Sequence, residues 1–194
     1  MFSVGLGDDG AELTPLEPWQ AEEFLAHIER GRDFIGRYVG LPDIVPDLPA
    51  ARAHLQRYAE KAASDTGRIY GIRLDRRLVG GVLFPAMDAA QGVCEAGCWL
   101  EPSAAGRGLV TRAVTVIIDW VVEERGFHRV EWHVAPANTA SIAVAERLGM
   151  SREGVLRESY LYRGRRQDTE IWSVLAPKWR KLRAQQRQAA ENRW

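Results

Sequence analysis

Between a strand-like run and a helix-like run, residues 103–113 read SAAGRGLVTRA. Gly106 and Gly108 can take positive φ and keep side chains out of a ligand's path. The N–H groups of residues 105–110 then face outward at the start of a helix, where orphan donors and the helix dipole favour a phosphate, and Arg107 adds a positive charge. The same glycines would equally serve a tight strand-to-helix connection, so the turn alone leaves both readings open. The chain has no GxxxxGK[ST], and the turn is not a GxGxxG followed by an acidic residue about 20 positions on. Nucleoside triphosphates and nicotinamide cofactors therefore rank behind other phosphate-bearing ligands.

Other reactive residue types are sparse. Cys94 and Cys98 share one strand-like run, which separates them by roughly 13 Å at ~3.3 Å per residue. That is too far for a disulfide, and the spacing is not that of a metal or redox pair, so both read as small core residues. His27, His54, His128 and His133 lack metal-ligand spacing and read as surface or packing residues. Of these, His133 is the one on a strand beside a candidate cleft, and no metal site is expected.

Several elements must position these groups. Ala11–Pro15 reads as a short strand, and Pro18 opens a helix whose stripe of Phe24, Leu25 and Ile28 ends at Gly31. A second helix, Asp47 to Ser64, carries Leu48, Ala51, Leu55, Tyr58 and Ala62 after a Pro-containing loop. RIYGIRL and RLVGGVLF, separated by DRR, form a hairpin. GVCEAGCWLEP is a third strand, and Val110, Val114, Ile117, Ile118, Val121 and Val122 mark an amphipathic helix ending near Gly126. RVEWHVA is the next strand, and a helix capped by Asn138 stops at Gly149. Two further strands, Ser151–Tyr162 and Asp168–Leu175, are joined by the charged run RGRRQ, and a basic helical tail, solvated by its composition, follows from Pro177.

The 194 residues suffice for one α/β domain with a core of its own. Lys plus Arg equals Asp plus Glu at 26 each, so no overall charge favours nucleic acid or an anionic membrane. The start, MFSVGLGDDGAEL, lacks a basic region followed by an apolar stretch, and no window has the ~18–20 apolar residues that span a bilayer. A cytoplasmic protein with no membrane partner is expected.

The order EAGCWLEPSAAGRGLVTRAV, RVEWHVAPANTASIAVAERLGMSREGVLRE, YRGRRQDTEIWSVL resembles the GNAT acyl-CoA N-acyltransferase superfamily, and within it the RimJ/RimL-like branch. The resemblance covers about Glu12 to Leu175 and is most specific from about Glu95 onward. It implies an α/β fold of α+β type: a central mixed, mostly antiparallel sheet of six to seven strands flanked by helices, splayed between strands near 93–100 and 129–135. Residues 1–176 would form one acetyltransferase domain, with 177–194 as the tail. It also implies acetyl-CoA as acyl donor, its pyrophosphate held by Ala105, Gly106, Arg107, Gly108, Leu109, Val110 and Thr111. Ala105 stands where the family has Gln or Arg, and Val110 where it has a small residue. Asn138 and Ser141, with Leu148-Gly149-Met150 through Glu153-Gly154, match the family's second signature and would lie beside the pantetheine arm. Cys98, Trp99 and Leu100 would present backbone to the thioester.

Transfer to an amine requires a neutral nucleophile, a met oxyanion and a proton for the departing thiolate. Glu95, mid-strand beside Gly97, is the favoured base, with Glu158 as a second choice and Asp168 as an organiser. Ser141 is the favoured proton donor, with Tyr160 and Tyr162 as phenol reserves. No GxSxG and no Cys with a base partner occurs, so direct attack in a ternary complex is preferred over an acyl-enzyme. The acceptor would be a protein N-terminal α-amine or a small-molecule amine. The alternatives are a catalytically weak acyl-CoA-binding regulatory or scaffold domain, or transfer from another acyl-CoA such as succinyl-CoA. No direct nucleic-acid binding is expected; ribosome contact through the Arg/Trp-bearing tail, Trp179 to Trp194, and a homodimer stay open.

Overall fold

The computed structural model describes residues 3–7 and 9–192. They gather into two compact units, one taking in the chain through Met87 together with Ala96–Ile117, the other Asp88–Glu95 together with Ile118 onward.

In the first unit, β1 (Val4–Gly5), β2 (Ala11–Pro15), β3 (Arg68–Leu74) and β4 (Arg77–Asp88) pair antiparallel in sequence order. Among the described residues there are eight strands, not six to seven. The extra strand is β1, where Val4 faces Leu13 and Gly5 faces Glu12. Two residues in a Gly/Asp-rich start carry no alternation from which a strand could be read. The β3–β4 hairpin turns on Asp75 and Arg76, both at positive φ (50° and 66°), the backbone that matches strand twist in a two-residue loop.

Helix α1 (Ala21–Ile35) does not stop at Gly31. A Cβ there would come within 2.8 Å of Ile35 Cδ1, so the glycine permits a close approach inside the helix. The Pro-containing loop holds a short helix, α2 (Leu41–Ile44). Helix α3 (Leu48–Ala63) follows the sequence bounds because Asp47 caps it, its carboxylate accepting Ala50 N–H at 2.8 Å. Phe24, Ile28, Leu55, Ile69, Leu78 and Trp99 share one core, each large side chain contributing roughly 1.5–3 kcal/mol through burial. Strand β5 (Val93–Leu100) leads by Pro102–Ala104 to α4 (Leu109–Asp119).

In the second unit, β6 (Arg129–Val134) and β7 (Ser151–Tyr162) flank β8 (Arg165–Leu175), both antiparallel to it. The turn between β7 and β8 is only Arg163-Gly164, at φ 46° and 75°. Arg165, Arg166 and Gln167 belong to the strand, opposite Tyr162, Leu161 and Tyr160, because solvent-facing positions of an open hairpin accept charge. α5 (Thr139–Arg147) ends where Gly149 takes φ 69°. α6 (Ala176–Glu191) is not solvated throughout, since Ala176 and Trp179 are buried. The Trp179 indole donates to Asp119 Oδ1 at 2.8 Å, and Arg183 grips the same carboxylate at 2.8–3.1 Å. With 2% of its surface exposed, Trp179 cannot stack on a base; Trp194 lies outside the described residues. No helix among the described residues is long and apolar enough to cross a membrane.

Candidate active site

The glycine turn belongs to the first unit. Ala105 is extended, Gly106 and Gly108 sit at φ 78° and 70°, and α4 begins at Leu109. A Cβ on either glycine would meet nothing within 4 Å. Positive φ, not crowding, therefore selects glycine here. Arg112 N–H bonds Gly108 O at 3.0 Å, so the amides before it form the helix's unpaired first turn. Ala105, Gly106, Arg107 and Gly108 are exposed, Leu109 is buried, and Val110 and Thr111 are half-buried. An open row of amides at a helix start beside an exposed guanidinium fits a diphosphate.

Arg112 braces this turn from behind. Its guanidinium donates to Leu6 O (2.7 Å), to both Asp9 carboxylate oxygens (2.9 and 2.7 Å) and to Arg107 O (3.3 Å). The pairing holds the Asp9 carboxyl down to about 2. With Arg112 so engaged, Arg107 is the cation that the turn itself presents to solvent.

Immediately upstream lies a buried cluster absent from the sequence reading. Glu101, 1% exposed, accepts from Arg77 Nη2 (2.6 Å) and Ser103 Oγ (2.6 Å) on one oxygen, and from Arg30 Nε (3.1 Å) and His27 Nδ1 (3.2 Å) on the other. Trp99 Nε1–H donates to His27 Nε2 at 3.0 Å. An indole nitrogen only donates, which fixes His27 as the neutral tautomer with its proton on Nδ1. Burial pushes the His27 imidazole down to about 4. Burial alone would raise the Glu101 carboxyl, but the Ser103 hydrogen bond and the Arg30 charge hold it below the usual range. The signal available in the sequence was the charge of Glu101 next to Pro102; apart from Ser103, its partners come from 24 to 74 residues away.

Among the β5 candidates, Trp99 turns its side chain into the core, where its indole bonds His27. Burial pushes the Cys94 and Cys98 thiols up to about 12. Neither is a ready nucleophile at neutral pH.

In the second unit, the structure brings Asn138 and Ser141 together. Asn138 Oδ1 caps α5 by accepting Ser141 N–H at 3.2 Å, and Ser141 Oγ accepts from Trp132 Nε1 at 2.9 Å. Because the indole can only donate, the serine's own proton is left to point elsewhere. Trp132 was not anticipated; a tryptophan at an inward position of a strand reads as core, and it is buried.

Glu95 is joined by His133, their closest atoms 3.6 Å apart, while the other ring nitrogen of His133 meets Glu131 Oε2 at 2.9 Å. The side chains are about a quarter to a third exposed. Burial would raise the Glu131 carboxyl, but hydrogen bonds from Arg129 and His133 lower it overall. Along β6, Val130, Trp132 and Val134 are buried while Glu131 and His133 are not. The Trp132–Ser141 pair and the Glu95–His133–Glu131 row therefore lie on opposite faces of that strand.

Tyr160 joins neither group. It stands half-exposed on β7, stacked on Tyr162 with ring centroids 5.8 Å apart. Asp168 Oδ1 accepts Glu158 N–H at 2.8 Å and so holds Glu158 at φ 52°, inside the irregular stretch between Leu156 and Tyr160. Among the described residues no group of three His, Cys, Asp or Glu could hold a metal.

Comparison with known proteins is consistent along the chain. Residues 12–151 match the Acetyltransferase (GNAT) domain family. A relative named "Probable N-acetyltransferase YjcK" of Bacillus subtilis is 30% identical over 169 residues, covering 85% of this chain and 93% of that protein. Among solved structures, RimL, a ribosomal L7/L12 α-N-protein acetyltransferase in complex with coenzyme A, superposes with a TM-score of 0.82 at 18% identity, over 87% of this chain and 95% of its own. The microcin C7 self-immunity acetyltransferase MccE, in complex with acetyl-CoA and AMP, gives 0.81 at 24% identity over 87% and 93%. The chain has the GNAT fold, belongs to the GNAT acetyltransferase family, and is an N-acetyltransferase that uses acetyl-CoA.

Proposed function

We propose that the protein transfers an acetyl group from acetyl-CoA to a primary amine, either the α-amine of a protein N-terminus or a small-molecule amine, by direct attack in a ternary complex. The observation that carries this reading is the open row of amides ahead of Arg112, with Arg107 beside it. Gly106, Arg107, Gly108, Leu109, Val110 and Thr111 hold the diphosphate, chiefly by backbone, with Ala105 contributing no side-chain contact. Asn138 and Ser141 border the pantetheine arm, and the backbone of Cys98, Trp99 and Leu100 faces the thioester. Bound acetyl-CoA supplies a thioester carbonyl as the electrophile.

Glu95 takes a proton from the acceptor ammonium, directly or through water, and its neighbour His133 supports that role. Ser141 gives its proton to the departing thiolate, a role supported by the Trp132 hydrogen bond that leaves the hydroxyl free to donate. Tyr160 is the reserve donor. The raised Cys94 and Cys98 thiols support direct attack over a thioester on the enzyme. An α-amine, ordinarily near ~7.7–8.0, asks less of the base than a lysine near ~10.4. That RimL is a ribosomal-protein α-N-acetyltransferase supports the same choice. The reading includes a cytoplasmic setting, residues 1–176 acting as one acetyltransferase domain and residues 177–194 as an accessory; it leaves ribosome contact and a homodimer open.

Thiol release from acetyl-CoA with a panel of N-terminal peptides and amine compounds tests the proposal. Turnover with α-amines ahead of lysine side chains is expected. Tight CoA binding without turnover on any amine would instead make the protein an acyl-CoA-binding scaffold, the reading that Ala105 and Val110 favour. Faster release from succinyl-CoA would reassign the acyl group.

A further inference from the structure

We infer that Glu101 is a positioning residue for the diphosphate grip: a buried carboxylate that fixes the path of the chain into the glycine turn. The inference rests on the reading of that turn as a diphosphate site. Glu101 directly follows β5, Pro102–Ala104 make one tight helical turn, and Gly106 follows two residues later. Over this stretch the local backbone bonds are few: Glu101 N–H to Val79 O at 2.9 Å, and Ala104 and Ala105 N–H to Glu101 and Pro102 O at 3.2 Å. Glycines at 106 and 108 add conformational freedom that a ligand would have to remove on binding. The side chain of Glu101 counters this freedom. It accepts from Ser103, inside the turn, and at the same time from Arg77 at the start of β4 and from His27 and Arg30 on α1. Arg30 is itself tied to Leu78 O at 2.7 Å, and His27 to the Trp99 indole.

Every oxygen of the carboxylate is thus used twice, and each partner but Ser103 belongs to a packed helix or strand. Glu101 refers the turn to the rigid framework through one hydrogen bond, that of Ser103. This arrangement also answers a question that the turn raises. Ala105 offers no side-chain contact to a ligand, so affinity has to come from amides already held in place. Pre-ordering those amides is how a flexible glycine turn binds without a large entropic loss. Glu101 need not touch the ligand for this, and its buried position beneath Ser103 is that of a support.

The test compares ligands with and without the diphosphate. Dissociation constants for CoA and for pantetheine, the latter by competition, are measured by calorimetry on the full chain for the wild type, Glu101→Gln and Ser103→Ala, with Tm recorded for each. Glu101→Gln keeps the shape but weakens the four charge-assisted or hydroxyl contacts; Ser103→Ala removes only the arm that reaches the turn. The preference for CoA over pantetheine is expected to fall about tenfold in Glu101→Gln and about threefold in Ser103→Ala. Equal weakening for both ligands would mean that Glu101 serves stability alone and would overturn the inference, as would an unaltered preference in both variants. If Glu101→Gln does not fold, Ser103→Ala decides by the same ratio. A wild type that binds CoA no better than pantetheine would remove the diphosphate reading of the turn itself, and the inference with it.

Discussion

Two groups in this molecule surround an imidazole with carboxylate, and they are built for opposite purposes. In the first unit, His27 is wholly buried, with one nitrogen bonded to the Trp99 indole and the other to Glu101. In the second, His133 sits about a third exposed between Glu95 and Glu131. The buried imidazole has its tautomer fixed by a donor-only neighbour and its proton held away from solvent, which makes a rigid strut. The open one is reached by water and by both carboxylates, the setting that the base proposed at Glu95 requires. His54 makes a third case: buried, stacked on Phe24 with ring centroids 5.8 Å apart, and with neither ring nitrogen bonded.

The contrast is broken hardest at Glu101. Replacing it with Leu leaves His27, Arg30, Arg77 and Ser103 without their shared acceptor, and removing one member of a buried ion pair costs about 3–5 kcal/mol. The lower end is expected because Arg30 and Arg77 are partly exposed and can turn to water. Urea unfolding measures it, and a loss under about 1 kcal/mol would show that the cluster is not a strut.

Acid should expose the same difference. His27 and His54 are held down to about 4 against an ordinary 6.5. The folded protein therefore binds fewer protons than the unfolded chain between those values. Their contribution is complete above pH 6.5 and is lost as the pH falls through about 4, by up to about 3 kcal/mol for each group. Denaturation midpoints at a series of pH values should fall across that window, and in His54→Phe the fall should be about half as deep. A flat profile would mean that neither imidazole is neutral by burial.

At the open group the expected effect is on rate. Glu95→Gln should lower kcat about a hundredfold, equal to about 2.7 kcal/mol of barrier, with urea stability within about 0.5 kcal/mol of wild type because the site is part-exposed. An unchanged kcat would take Glu95 out of the chemistry. The smallest effect is expected at His54. Phe there removes two unsatisfied buried polar atoms while keeping an aromatic ring against Phe24 and Tyr58. A gain of about 1 kcal/mol, or about 2–4 °C in Tm for a chain of this length, is expected; a loss would mean that the ring nitrogens have a partner in solution, such as a bound water.

How far the sequence could be read follows from how local each signal is. The span of α3, the cap at Asn138, the stop at Gly149, the glycines of the turn and the strands β3, β4 and β6 depend on neighbours a few residues away, and all were legible. Gly31 misled because a glycine that ends a helix and one that admits a close contact look alike until the contacting residues are known. RGRRQ misled because charge was read as loop, although a strand open to solvent carries charge freely. Of the proposed site, the turn, Asn138 and Ser141 were suggested by motif and resemblance, and Glu95 by its place on a strand. Trp132, which orients the Ser141 hydroxyl, and His133 with Glu131, which flank Glu95, could not be assigned those partnerships from any local pattern.

By itself, then, the sequence carried the motifs by which the family is recognised, the positions of most elements and the glycines of the turn, because motifs are local and elements and turns rest on periodicity and short-range hydrogen bonding. Only the tertiary structure decided which charges are buried and which are free. His27 and Glu101 stand 74 residues apart and meet at 3.2 Å, and desolvation, which turns a surface carboxylate into a fixed support and an imidazole into a neutral donor, exists only once the chain has closed around them.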